Sequence, residues 1–407
     1  MPNRYLIIAD DFTGANDTGV QMKRRGFATN VMFAGRAIPD DNSSVVIDTE
    51  SRGMTGEEAA AATAMAVEKI DFSAYKYIIK KVDSTLRGNI AEEVSAVDKA
   101  FGSEVVIFAP ALPDLDRTTV NGVHMLKGVP ITQTELSKDP KKPVIEDHLG
   151  KILSRVYEEP VSHLSLDQIR EGSIHFGQAR LYTADAVKNS DIQAVIRAAI
   201  ATGKKVLWVG TAAMADNLME MERKTHPALG ISASVSSITS KQIRAAETAG
   251  ISLVKVPVHS ILAGAETPDA YIDMTVKNLV SGKDTILLSS SSYDRADMEL
   301  SIEAGKEKKM EIWQVSEYVQ TLMGKMAKEI LAKASVSGVF LTGGDTAMGV
   351  LEAMEADGSS VLAEIAAGIP MMQVVGGEMN GMKVVTKAGA FGKEDAILFA
   401  MRKLKEK

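Results

Sequence analysis

Short runs of β-branched and apolar residues alternate along this chain with longer, alanine-rich stretches of helical spacing, the pattern of parallel strands joined by helices. In the first half, the runs Tyr5–Ala9, Asn30–Phe33, Val45–Asp48, Tyr77–Lys80, Val105–Ala109 and Val206–Val209 predict strands. Helical periodicity fills Thr55–Lys69 and Ile90–Ala100 between them. The pattern weakens through His226–Gly230, where a domain boundary is expected. A second series then predicts strands over Ser232–Ser237, Ser252–Val256, Thr285–Ser289, Gly338–Thr342 and Lys383–Lys387, with helices over Ser240–Ala249 and Ala347–Glu355. The reading is two α/β domains with mainly parallel sheets, residues 1–230 and 231–407. One stretch stands apart. From Pro110 to Pro143, five prolines and several Thr, Gly and Asp residues break both periodicities, so an ordered loop over one sheet edge is expected. Long loops in compact domains are usually functional.

Composition narrows the partners. The 407 residues are 45% hydrophobic and 24% charged, with a net charge of −7. That is an ordinary globular balance without the basic surplus that nucleic acid demands, so no nucleic-acid partner is expected. The absence of cysteine removes disulfides, thiolate metal sites and cysteine nucleophiles. No apolar run approaches the ~20 residues of a membrane span, and Tyr5–Ala9 is too short for a secretory signal, so no membrane partner and a cytoplasmic location are expected. None of the six histidines shows metal-ligand spacing, and no metal site of the protein's own is expected. His124, inside the long loop, is retained as a candidate for substrate contact. The lysine-rich end Arg402–Lys407 reads as a solvated helix terminus.

Ligands of open α/β sheets bind beyond the carboxyl ends of the strands. Three predicted strands of the first domain end in polar groups: Asp10-Asp11 before Gly14, Asp48 through Ser51-Arg52, and Lys81 through Asp83, Ser84 and Arg87. Carboxylates, hydroxyls and cations around one cleft suit a polyhydroxy acid, whose carboxylate needs Arg or Lys and whose hydroxyls need Asp and Ser. The competing reading makes these residues helix N-caps alone. In the second domain, Thr342-Gly343-Gly344-Asp345-Thr346 joins a strand to a helix, where glycines let backbone N–H groups approach a phosphate. Val350 and Leu351 stand where a P-loop requires Lys and Ser or Thr, and no G-x-G-x-x-G follows the first strand. A second glycine turn, Lys387 to Gly392, follows the last strand. Together the two loops point to a nucleotide.

These segments resemble the four-carbon acid sugar kinases. The resemblance rests on Ala9 to Gly19, Ser51-Arg52, Lys81 to Gly88, Pro110 to Pro113 with Arg117 to Gly122, Thr342 to Thr346 and Lys387 to Gly392. It implies an N-terminal acid-sugar-binding domain and a C-terminal ATP-binding domain. Carried over residue by residue, the substrate contacts are Asp10 or Asp11, Arg52, and Lys81, Val82, Asp83 and Ser84. The ATP contacts are Gly343, Gly344, Asp345, Thr346 and Gly389. Ser234 and Ser236, followed by Thr239 and Gln242, fit a further ATP element, although Ala233 replaces its glycine. The continuation Gly128 to Glu135 and Asp139 to Pro143 resembles the D-threonate branch of the family.

The implied activity is ATP-dependent phosphorylation of the terminal hydroxyl of a four-carbon acid, D-threonate first, with D-erythronate or a 3-oxo-tetronate as alternatives. Arg52 and Lys81 would anchor the carboxylate, Asp83 or Asp11 would orient the hydroxyl, and Mg²⁺ would arrive with ATP. Transfer would require the two domains to close on their ligands. A sugar-acid dehydrogenase and a non-catalytic sensor are the rival classes. The 110–143 segment would serve equally as a substrate lid or as the contact of a homo-oligomer.

Overall fold

The computed structural model describes residues 4–140, 142–177, 179–223 and 225–406; Lys141 and Lys407, within segments noted above, lie outside the described residues. The chain divides into two compact units, Met1–Lys224 and Thr225–Glu406. The division falls ahead of residue 230 because Leu229 and Gly230 already belong to a strand of the second unit.

Strands of the first unit run in chain order β1 (Tyr5–Ala9), β2 (Thr29–Phe33), β3 (Ser44–Asp48), β4 (Tyr77–Lys81), β5 (Val105–Ala109), β6 (Arg117–Val120), β7 (Val123–Leu126), β8 (Val129–Pro130), β9 (Val161–Leu164), β10 (Leu181–Ala184) and β11 (Val206–Gly210). Eight of them form one sheet in the order β2-β3-β1-β4-β11-β5-β10-β9, with parallel pairing. Strand β1 shows why the sheet is central. Tyr5, Ile7 and Ala9 enter one apolar cluster while Leu6 and Ile8 enter the cluster on the opposite face. All five are fully buried, as a parallel strand covered on both faces requires.

The 110–143 segment is not an irregular loop. It carries a small antiparallel sheet, β6-β7-β8, whose first hairpin turns at Asn121-Gly122 with φ of 53° and 76°. Two positive φ values are what a two-residue hairpin turn needs. Asp185, just beyond β10, accepts hydrogen bonds from the N–H groups of both turn residues (2.8 and 2.9 Å), fixing the hairpin tip to the main sheet.

The second unit holds β12 (Leu229–Ser232), β13 (Ser252–Val256), β14 (Thr285–Ser289), β15 (Val339–Thr342), β16 (Gly358–Ala366), β17 (Ile369–Val375) and β18 (Lys383–Lys387), in the order β13-β14-β12-β15-β18-β17-β16. The first five pair parallel, and β17 and β16 add an antiparallel hairpin at one edge. The strand expected at Ser232–Ser237 lies earlier, at Leu229–Ser232, where all four residues are buried between β14 and β15. Ser237 instead opens the helix Ser237–Thr248.

Both sheets reverse their order of growth at one point. In the first, β2 and β3 lie on one side of β1 and β4 lies on the other. In the second, β13 and β14 lie on one side of β12 and β15 on the other. Such switch points leave a crevice at the carboxyl ends of the flanking strands.

Candidate active-site residues in the two units

At the first switch point, Ala9 pairs with Asp48 of β3 and with Lys81 of β4, so the three chains leave the sheet side by side. Asp11 N-caps the helix Phe12–Arg24, accepting from the Gly14 N–H at 3.1 Å. Arg52 returns from the β3 loop and spends its guanidinium on two carboxylates: on Asp10 at 2.7 and 3.0 Å, and on Asp11 at 2.8 and 2.6 Å. Asp83 stands 3.9 Å away. Asp83 itself accepts from Arg87 Nε at 2.7 Å and from the Thr85 hydroxyl. Burial works to raise its pKa, but the Arg87 hydrogen bonds and the Arg52 charge hold it down at about 2.

Lys81 is the exception in this cluster. It is buried, and its ammonium makes no hydrogen bond or ion pair with any described residue. Burial pulls its pKa down, opposed by the charges of Asp10, Asp11 and Asp83. Gly14 makes room for it: a β-carbon there would lie 2.6 Å from both Lys81 Nζ and Asp11 Oδ1. The ammonium thus lies over the first turn of the helix Phe12–Arg24.

A buried layer supports these groups. Lys80 pairs with Glu93 at 2.8 Å, and Glu93 accepts from Ser51 Oγ at 2.9 Å, tying strand β4 and the loop after β3 to the helix Ile90–Phe101. Ser84 keeps its hydroxyl unbonded while its carbonyl accepts from His124 Nε2 at 3.0 Å. The substrate contact expected of His124 is not supported. The ring is fully buried, with Nδ1 on the Thr119 hydroxyl at 3.1 Å, so both nitrogens are spent on holding the Ser84 loop. Val82, within the same segment, has its side chain buried in the core, and its N–H donates to the Gly210 carbonyl. Glu93 and Thr85 went unread in the sequence, since a buried Glu in a helix looks like any exposed one.

His124 yields a pH prediction. Burial pushes its pKa down to about 4, outweighing the Ser84 hydrogen bond and the Asp83 charge. The unfolded chain protonates it near pH 6.5. Between those values the unfolded state binds the extra proton, so stability complete above pH 6.5 falls as pH drops toward 4, by up to about 3 kcal/mol. Urea titrations from pH 7 to 4.5 should show this slope, and His124→Asn should flatten it. An unaltered slope in the variant would assign the loss to other groups.

In the second unit, the residues expected to meet ATP come together around a cavity of about 460 Å³ lined by Ser234, Ser236 and Gly343 to Thr346. Gly343 precedes the helix Gly344–Ala353 with φ of +100°, and the first-turn N–H groups of that helix have no intrahelical acceptor. Gly389 does not line the cavity. It packs behind it, where a β-carbon would meet Ser234 Oγ at 2.6 Å. Its loop is fastened from beneath. Thr239 Oγ1 donates to the Gly389 carbonyl at 2.8 Å, and Gln242 Nε2 reaches the carbonyls of Phe391, Gly392 and Lys393 at 2.8–3.1 Å. The buried Lys387 amine donates to the carbonyls of Ala388 and Gly389 at 2.9 and 3.2 Å, and burial lowers its pKa to about 8. The cavity's other wall, Met298, Ile302, Ile312, Val315 and Val319, gave no sequence signal beyond ordinary helical periodicity. Among the described residues no helix is long and apolar enough to cross a membrane.

Two family profiles match the chain, a sugar-binding N-terminal domain over residues 5–218 and a nucleotide-binding C-terminal domain over residues 229–397. The chain is 33% identical to a D-threonate kinase of Salmonella typhimurium, covering 99% of each. It is 26% identical to a D-erythronate kinase of Heliobacterium modesticaldum, covering 97% of this chain and 95% of that one. Among solved structures, a domain of unknown function from Bordetella bronchiseptica, crystallised as a domain-swapped dimer with bound citrate, aligns with a TM-score of 0.62 at 28% identity over 99% of both chains.

Proposed function

This chain belongs to the four-carbon acid sugar kinase family, and on that footing we propose that it transfers the γ-phosphoryl group of ATP to the terminal hydroxyl of D-threonate, giving the 4-phospho acid and ADP. The observation that carries the substrate half is the buried, unpaired Lys81 ammonium at the first switch point. An acid sugar would supply the carboxylate this cation lacks. Arg52 then has a different part from the anchoring role expected of it. Committed to Asp10 and Asp11, it sets the carboxylates that receive the sugar hydroxyls.

The attacking hydroxyl oxygen forms the new P–O bond as the bond to the β-phosphate oxygen breaks, and its proton passes to a carboxylate. Both carboxylates are held, Asp11 by Arg52 and Asp83 by Arg87 and Thr85, and Asp11 is the more exposed acceptor, at 20% of its side chain against 11%. A carboxylate is a weak base for an alcohol, but a loose transition state depends on positioning and charge neutralisation more than on base strength. On the nucleotide side, Ser234, Ser236 and the N–H groups of Gly344 to Thr346 would receive phosphate oxygens. The described residues contain no cluster of three metal-ligating groups, while Asp345 offers one carboxylate at the cavity. That fits Mg²⁺ carried by the phosphates, where it would neutralise charge on the transferring group.

Like the crystallised relative, the chain is proposed to self-associate. An ADP-release assay over D-threonate, D-erythronate and 3-oxo-tetronates should give its highest kcat/KM with D-threonate. Turnover of none of these acids, with ATP bound, would leave a sensor. A preference for another acid would move the substrate within the family.

A further inference from the structure

The cavity of the second unit has two chemically different ends, and phosphates account for only one. Ser234, Ser236 and Gly343 to Thr346 make the polar end. Opposite them, Met298 and Ile302 from the helix Ala296–Glu307 face Ile312, Val315 and Val319 from the helix Ile312–Lys333. A stripe at this spacing normally enters a core. Here Ile312 is 61% exposed and the adjoining Trp313 is 64% exposed, so two large apolar side chains stand in water beside the cavity. Trp313 lines a shallow groove that shares Ile312, Ser316, Gln320 and Asp345 with the cavity, which makes groove and cavity continuous. The Gln320 side-chain amide forms no hydrogen bond with a described residue.

Resting on the nucleotide reading above, we propose that the apolar half of this cavity takes the purine base of ATP, with Trp313 at its rim as the stacking surface. The base is the flat, apolar part of a nucleotide, and once the phosphates are fixed on the helix Gly344–Ala353 it must find a surface of matching character. Aromatic stacking on a base is worth ~1–3 kcal/mol and does not require a closed pocket. The unbonded Gln320 amide offers both a donor and an acceptor to a base edge.

Tryptophan emission tests this directly, because the only other tryptophan, Trp208, is 2% exposed within the first unit's core. ATP and adenosine should each change the emission of the full-length protein, inorganic tripolyphosphate should not, and Trp313→Phe should abolish the response. Trp313→Ala should raise the KM for ATP roughly tenfold and leave that for the acid sugar unchanged. Ile312→Glu, at an exposed position that tolerates charge, should do the same. If ATP raises the melting temperature while Trp313 emission and the KM of both variants stay unchanged, the base lies elsewhere and the inference is wrong. If ATP does not raise the melting temperature at all, the nucleotide reading itself fails and this inference with it.

Discussion

Lys81→Met should weaken acid-sugar binding by roughly a hundredfold and leave the protein folded. The ammonium is the only cation of its cluster without an ion pair among the described residues, since Arg52 holds Asp10 and Asp11 while Arg87 holds Asp83. A charge-assisted contact contributes about 1.5–3 kcal/mol, more where water is excluded. Methionine fills nearly the same volume and does not carry the desolvation cost of a buried charge, so the melting temperature should not fall with affinity. ATP should stabilise the variant as it does the wild type, because its proposed contacts lie in the other unit. Calorimetry with D-threonate alongside thermal scans with ATP reads both. An unchanged affinity for the acid would remove Lys81 from the site. Arg52→Ala should behave differently: with the guanidinium gone, Asp10 and Asp11 lose the cation that holds them in place, so stability and acid binding should fall together.

The strands that flank the first site were legible because they are buried on both faces and therefore read as short apolar runs; Tyr5–Ala9 and Val105–Ala109 are found where the pattern put them. Strands β9 and β10 were not legible. Val161–Leu164 is a half-buried edge with Ser162 and His163 in it, too short and too polar to stand out. The exposed strand Gly358–Ala366 shows no apolar alternation, since one edge of the sheet leaves it in solvent. The β6–β7 hairpin did carry a signal, Asn121-Gly122 between alternating residues, but the prolines around it dominated the reading.

At the sites, sequence reasoning named residues that the structure does bring together, because strand ends of one sheet converge. It did not show how they divide their partners. That Arg52 belongs to Asp10 and Asp11 while Lys81 stays unpaired follows from strand order, which no local pattern encodes. The apolar wall of the second unit's cavity was hidden for a related reason. Ile312, Val315 and Val319 have the spacing of any core-facing helix, and only the exposure of Ile312 departs from it, since Val315 is buried.

The glycine pair at the cavity proposed for ATP gives the other large effect, and the two positions should fail in opposite ways. Gly343 has φ of +100°, a backbone state that an L side chain rarely adopts, and a β-carbon there would also lie 3.1 Å from Thr346 Oγ1. Gly343→Ala should therefore lower the melting temperature with or without ATP. Gly344 is the first residue of the helix, its φ is ordinary, and a β-carbon there meets nothing within 4 Å. The backbone strain expected at such a glycine thus belongs to Gly343, while the space beside Gly344 is the space proposed for phosphate. Gly344→Val should fold with a near-normal melting temperature and yet lose its response to ATP. A ligand at a hundred times its Kd stabilises by about 2.7 kcal/mol, equivalent to a rise of roughly 5–11 °C in a domain of this size, so its disappearance is readily measured. D-Threonate should still stabilise the variant. A folded Gly344→Val protein that ATP stabilises as fully as the wild type would exclude the Thr342 to Thr346 loop as the phosphate cradle, and the glycine turn from Lys387 to Gly392 would take its place.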